Sequence, residues 1–218
     1  MTVNQTSNPE VDAPVIIGVV GGVGSGKSTA AACLERLGCV VIDSDSRAKA
    51  KLDHPAVRET LSSWWGPEVI GDDGRIDRRR VASIVFSDPA ERRRLEELIH
   101  PMLAGDREST IREAALAGAP GVVIDAPLLL EAGLDAECDA ILFVDAPLER
   151  RLRQVKSRQG WDRTELERRE SAQMALEKKR EAADHVVSNA GTTDDLCVEV
   201  SRVFREILGK ASRRSIQS

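Results

Sequence analysis

Four short apolar runs stand out from an otherwise polar chain: Val15 to Val20, Val40 to Ile42, Val122 to Ile124 and Ile141 to Val144, all rich in β-branched residues. Runs of this length and make-up predict strands buried on both faces. Helical patterns fall between them, so the chain is expected to wind a parallel sheet with right-handed crossovers, an α/β architecture. Each run passes into a Gly or Asp segment, and ligands of such sheets sit beyond the carboxyl ends of the strands.

From Asp45 to about Gly118 the pattern changes. WWGPEV and GDDGR are turn signals, a charged helix is predicted around Glu91 to Ile99, and Pro101 is expected to break that helix after His100. The segment therefore predicts a helical insertion, about 46–115, in the sheet domain. A second charged helical region runs from Leu148 to about Ala183, where Arg and Lys recur through RRLRQVKSR and LEKKR.

Composition narrows the picture. At 218 residues and 41% hydrophobic content, the chain can bury one sizeable core with a small inserted subdomain. Tyr is absent and aromatics make up 3%, so aliphatic side chains must fill that core. A net charge of -5 gives no support to a nucleic-acid coat or a membrane-surface role. Residues 1–13 have neither a basic start nor an apolar stretch, and residues 209–218 are polar, so both ends are expected to be tails around a domain spanning 14–208. Cys33, Cys39, Cys138 and Cys197 are widely spaced, which predicts free thiols in a reducing cytoplasm.

The chemistry is most legible at GGVGSGKST, where strand VIIGVV meets the helical pattern AAACLERL. Gly-x4-Gly-Lys-Ser in a strand-loop-helix setting is a phosphate cradle: glycines allow the tight turn, and the helix start adds positive potential. Gly22, Val23, Gly24, Ser25 and Gly26 supply the loop of an ATP site. Lys27 is placed to reach the β- and γ-phosphates, Ser28 to ligate Mg²⁺, and Thr29 to cap the helix or touch the α-phosphate.

The second strand ends in VIDSDS. Asp43 and Asp45, two apart, point the same way if the chain there is extended, and a carboxylate beside an alcohol can orient it and take its proton during phosphoryl transfer; the other reading of each is a helix cap or a turn residue. The third strand ends at Asp125, a candidate magnesium carboxylate, followed by Pro127, Leu128 and Glu131 of APLLLE, the last read as a solvated helix position. Asp145 reads as the cap of a helix starting near Pro147. Among the later arginines, Arg151, Arg153 and Arg158 are candidates for a mobile lid that neutralises the transferring group. Trp64 and Trp65 read as packing anchors, and His54 and His185 as structural.

These segments, in order, resemble the dephospho-CoA kinase family: GGVGSGKST, VIDSD, RIDRR, IHP, PLLLE and QMALEKKREAADHVVSNAG, spanning Ile16 to about Leu208. The resemblance implies a three-layer P-loop kinase fold with a mostly parallel sheet, a helical acceptor-binding insertion and a helical lid over about 148–183. It implies ATP as donor, the ribose 3′-hydroxyl of dephospho-CoA as acceptor, and CoA and ADP as products. It places the catalytic carboxylate at Asp45 and the lid arginine at Arg158, sets Arg79 and His100 near the acceptor, and puts Asn189 and Gly191 in the loop around the adenine. Members often carry Arg where this chain has Lys49, and Gln then Arg where it has Arg151 and Gln154.

A nucleoside or nucleoside-monophosphate kinase shares the loop, the acceptor carboxylate and the arginine-rich lid, and differs in its acceptor-side motifs. A GTPase requires an Asn-Lys-x-Asp segment, which is absent, and a non-catalytic scaffold fits poorly with intact Lys27, Ser28 and Asp45. The expected protein is thus a cytoplasmic monomer or small homo-oligomer acting on a small molecule, with no nucleic acid or membrane partner.

Overall fold

The computed structural model describes residues 13–215. The described residues fall into two compact units, one of residues 13–41 with 111–215 and the other of Ile42–Thr110. The expected N-terminal tail lies almost wholly outside the described residues.

The first unit is built on the sheet. Strands β1 (Val15–Gly21), β2 (Val40–Asp43), β3 (Gly121–Asp125), β4 (Ala140–Asp145) and β5 (His185–Ser188) lie in the order β2-β3-β1-β4-β5. The central pairings are parallel: Val15 is opposite Gly121 and Val19 opposite Asp125 in β3, while Gly21 is opposite Val144 in β4. In this register β3 starts level with β1 and ends at Asp125, opposite Val19 and two residues short of the end of β1. The fifth strand escapes the apolar pattern because it is four residues long with only two aliphatic positions, and its pairing with β4 supplies what the local sequence does not.

Helix α1 (Lys27–Arg36) and the last helix of the chain cover one face, where Ala30, Ala31 and Leu34 pack with Leu196, Val200, Val203, Phe204 and Ile207. On the other face Val20, Ile124, Ile141 and Phe143 are covered by Leu129, Leu134 and Ala183. Aliphatic residues do most of this filling, as a chain with so few aromatics requires.

In the second unit α2 (Ser44–Leu52), α3 (Pro55–Trp65) and α4 (Arg78–Ser87) close around Val57, Leu61, Val69, Ile76 and Val81. Trp64 and Trp65 stack edge to face at 5.9 Å on this cluster. Helix α5 (Pro89–Leu116) runs straight through Pro101, against the expected break. Proline removes one N–H from a ladder of 28 residues, and the apolar side chains Leu95, Leu98 and Met102 on either side keep packing on the same cluster, so the helix continues.

The charged region after β4 divides into α6 (Leu148–Gln159), α7 (Arg163–Ser171) and α8 (Leu176–Glu181), and α9 (Thr193–Ser215) ends the described chain. It includes residues 209–215, expected as a tail, because Ile207, Leu208 and Ala211 continue its apolar stripe. No helix among the described residues is long and apolar enough to cross a membrane.

The expectation of four free thiols needs correction. Cys33 on α1 and Cys197 on α9 form a disulfide, with Cα atoms 5.3 Å apart, leaving Cys39 and Cys138 outside it. The partners are 164 residues apart and meet only because both helices cover the same sheet face, so sequence spacing carried no sign of the pair.

Candidate active site

The loop between β1 and α1 turns tightly at Gly24 and Gly26, with φ of 72° and 98°, a region that disfavours any side chain. Lys27 folds back over it, its Nζ donating to the carbonyl oxygens of Gly21 at 3.1 Å and Gly22 at 3.0 Å. The ammonium is thereby held at the mouth of the loop. From beneath, the buried Asn189 donates through Nδ2 to the Ser25 carbonyl at 2.7 Å, so the residue expected near an adenine braces the loop backbone. Gly191, two residues on, accepts from Arg150 through its carbonyl at 2.5 Å.

The start of α1 meets the end of β3, the strand beside β1. Ser28 Oγ donates to Asp125 Oδ2 at 2.9 Å, bringing together the two residues expected at a magnesium ion. Both are oxygen donors, the ligand class of a hard divalent cation.

Charge around the loop is set by a pair that sequence reasoning missed. Glu170 on α7 accepts from the Val23 N–H through Oε1 at 3.1 Å, and the same oxygen binds Arg151 Nη1 of α6. A side chain at Gly22 would strike both groups, since its Cβ would lie 2.9 Å from each. A carboxylate thus already sits on a loop amide and an arginine, showing that this corner suits an anion. Arg151 is buried, whereas Arg153 and Arg158 are exposed further along α6, Arg158 in its last turn. The seven-residue offset between Arg151 and Arg158 is two helical turns, so both lie near one face of α6, at different heights.

The APLLLE segment is anchored from the far end of the chain. Lys179 on α8, 2% exposed, donates to Gln173 Oε1 at 3.0 Å and the Pro127 carbonyl at 3.3 Å, and pairs with Glu131 Oε1 at 3.0 Å. Glu131 also accepts from the Met174 N–H at 2.7 Å. Glu131 is exposed, as expected, but it is also paired: partial burial works against its charge, yet the Met174 amide and Lys179 hold its carboxyl below the usual carboxylate range. The result is a fixed backbone at Pro127 and a partly exposed Leu128. Asp145 likewise departs from its expected role, pairing with Arg180 at 2.6 Å while Pro147 stands at the start of α6 without a side-chain cap.

Within the second unit Asp43 and Asp45 do not form an extended pair, because α2 begins at Ser44. Asp43 is the cap, accepting from the Ser46 N–H at 2.9 Å and its hydroxyl at 2.6 Å. Partial burial opposes its charge, but those bonds and Lys49 hold its carboxyl below the ordinary range. Asp45 stands exposed in the first turn of α2. Arg79 is exposed in the first turn of α4 and His100 is exposed on α5.

A loop that holds a carboxylate on its amide, a lysine across its mouth and a hydroxyl–carboxylate pair at its edge fits the triphosphate of a nucleotide. That site on a parallel sheet places the chain in the class of P-loop phosphotransferases. A family model for dephospho-CoA kinase matches residues 15–195. Curated dephospho-CoA kinases of Thermus thermophilus and Anaeromyxobacter dehalogenans are 40% and 39% identical, covering 93% and 91% of this chain and 96% and 95% of their own. A Thermus thermophilus crystal structure superposes with a TM-score of 0.74 at 39% identity, covering 90% of this chain and 97% of its own. A dephospho-CoA kinase structure from Campylobacter jejuni, 22% identical with a TM-score of 0.67 over 89% of this chain and 98% of its own, shares the fold. The chain belongs to the dephospho-CoA kinase family.

Proposed function

We propose that the protein transfers the γ-phosphoryl group of ATP to the ribose 3′-hydroxyl of dephospho-CoA, giving CoA and ADP. The observation that carries this reading is the loop site, with Lys27 across its mouth and Ser28 bonded to Asp125, in a chain of this family. Residues 22–29 hold the phosphates, Lys27 taking the β and γ groups, and Asn189 keeps the loop in shape. Gly191 belongs to the strand-to-helix turn that the resemblance sets around the adenine.

Asp45 is the proposed base. Its carboxylate orients the 3′-hydroxyl and accepts the proton as the ribose oxygen bonds to the γ-phosphorus and the bond to the β-bridging oxygen breaks, the electron pair leaving with ADP. Asp43 is proposed to serve the acceptor indirectly, by capping the helix that presents Asp45. Arg79, His100, Pro127 and Leu128 are the remaining acceptor-side candidates. Arg158 is proposed to neutralise charge on the transferring group, with Arg151 acting at the loop itself.

Ser28 would hold Mg²⁺ directly and Asp125 through its water shell, in keeping with the few protein ligands this ion takes beside phosphates. When bound, it offsets charge on the β- and γ-phosphates. With ATP as the donor, the cytoplasm is the proposed place of action.

The test is ADP release measured with dephospho-CoA, adenosine, AMP and other nucleosides as acceptors. Highest kcat/KM for dephospho-CoA is expected; preference for any other acceptor would overturn the assignment of the acceptor while leaving the ATP site standing.

A further inference from the structure

The disulfide between Cys33 and Cys197 takes no part in phosphoryl transfer, and a cation stands against it. Arg36, about one turn after Cys33 on α1, donates through Nη2 to Cys33 Sγ at 3.3 Å and to Cys197 Sγ at 2.7 Å. One guanidinium thus serves both sulfurs. Cys33 is buried, whereas Cys197 is only partly buried and Arg36 is exposed, so a dissolved thiol reaches the bond from the Cys197 side.

A positive charge beside a sulfur favours the thiolate, and a disulfide whose reduced form is stabilised in this way is more easily reduced. A purely structural bond needs neither the open sulfur nor the cation. In the cytoplasm, the proposed place of action, small thiols keep most cysteines reduced, and the disulfides that do form there are exchanging ones.

The pair also joins the two helices that carry the loop site. Helix α1 opens with Lys27 and Ser28, and Cys33 lies about 9 Å further along its axis. Helix α9 opens at Thr193, just after Gly191, and Cys197 falls in its second turn. Asn189, which leads into α9, donates to the Ser25 carbonyl, which leads into α1. The bond therefore fastens both sides of this brace and pre-organises the phosphate cradle.

We propose that Cys33, Cys197 and Arg36 form a reversible thiol–disulfide site, exchanging with a low-molecular-weight thiol and its disulfide, and that the closed bond tightens ATP binding. In reduction, a small thiolate attacks Cys197 Sγ, the bond to Cys33 breaks, and its electron pair leaves on Cys33 Sγ, where Arg36 offsets the charge. A second small thiolate attacks the outer sulfur of the mixed disulfide, and the electron pair leaves on Cys197 Sγ. Two small thiols are oxidised to one disulfide, and their two protons pass to the two cysteines. The effect on ATP rests on the nucleotide reading of the loop; the exchange itself does not.

The test equilibrates the full-length protein in buffers of glutathione and its disulfide at about pH 8.5, where an ordinary cysteine is about half ionised. Alkylation and mass spectrometry then report Cys33 and Cys197. The pair should pass from disulfide to dithiol across these buffers with the far-ultraviolet circular dichroism retained. Arg36→Gln should need a ratio of squared thiol to disulfide roughly twofold to fivefold larger, as for loss of one exposed charge contact, and Arg36→Lys should stay close to the wild type. By calorimetry, ATP should bind roughly threefold to tenfold more weakly to the reduced protein, and equally weakly to Cys33→Ser/Cys197→Ser under either condition. A bond that survives excess glutathione, or yields only as the helices melt, would be structural and would overturn the proposal. So would equal midpoints for Arg36→Gln and the wild type, or equal ATP affinity in the two redox states. Failure of both states to bind ATP would instead remove the nucleotide reading of the loop.

Discussion

Asp45 and Lys179 illustrate opposite demands on a charged residue. Asp45 is exposed in the first turn of its helix and open to an incoming hydroxyl, so Asp45→Asn should cost on the order of 10²-fold or more in kcat with ATP binding unchanged. A loss of only about twofold would remove it from the role of base. Lys179 is sealed, and replacing it by Met leaves the exposed Glu131 without its cation and the Pro127 carbonyl and Gln173 without their donor. An equilibrium urea titration should report a loss of about 1–3 kcal/mol, the cost of leaving these acceptors unsatisfied. Retention of wild-type stability would show that the pair does not hold the Pro127 segment.

At this scale the sequence was informative where a residue's neighbours in the chain define its task, as for Lys27 and Ser28 in their loop. It was silent on Glu170, whose task depends on an amide 147 residues away. It left Asp43 open between an acceptor-side carboxylate and a helix cap, and the helix that begins one residue after it makes it the cap and sets Asp45 apart in the first turn.

Elements behave similarly. Strands β1 to β4 were legible from their aliphatic runs, whereas β5 and the continuation of α5 through Pro101 are decided by contacts, not by propensity. The α6–α7 pair is held to the loop by Glu170. In Glu170→Gln, Arg151 loses its buried partner and ATP phosphates meet no competing carboxylate. The apo thermal midpoint should fall, and the upward shift on adding ATP should exceed that of the wild type. An equal shift in both proteins would mean that the carboxylate does not compete with phosphate. Helices α1 and α9 offer a chemical check: titration under denaturing, non-reducing conditions should find two reactive thiols per chain, Cys39 and Cys138, rising to four after reduction. Four before reduction would contradict the disulfide. In the native state Cys39 should react slowly, since burial pushes its thiol up to about 11.

For the whole molecule, three groups that titrate below neutral pH act on stability with one sign. Glu131 and Asp43 have carboxyls held below their ordinary values, so their contribution is present above about pH 4 and is lost as the pH falls through the lower, folded values. His185 is held below its usual value by burial and then by Lys210. The unfolded chain takes up its proton first, and stability again declines as the pH drops below about 6.5. Urea midpoints should therefore fall from about pH 7.5 to about pH 5.5 and again below about pH 4.5. A flat profile would contradict these assignments.

The central claim concerns one bond, from the γ-phosphorus to the ribose 3′-oxygen. It is tested most directly by incubating the enzyme with ATP, Mg²⁺ and dephospho-CoA and identifying the products by phosphorus NMR and mass spectrometry. The account predicts CoA with a single new phosphomonoester at the 3′ position and one ADP per ester formed. An ester at another position, or ADP released with no ester, would contradict it.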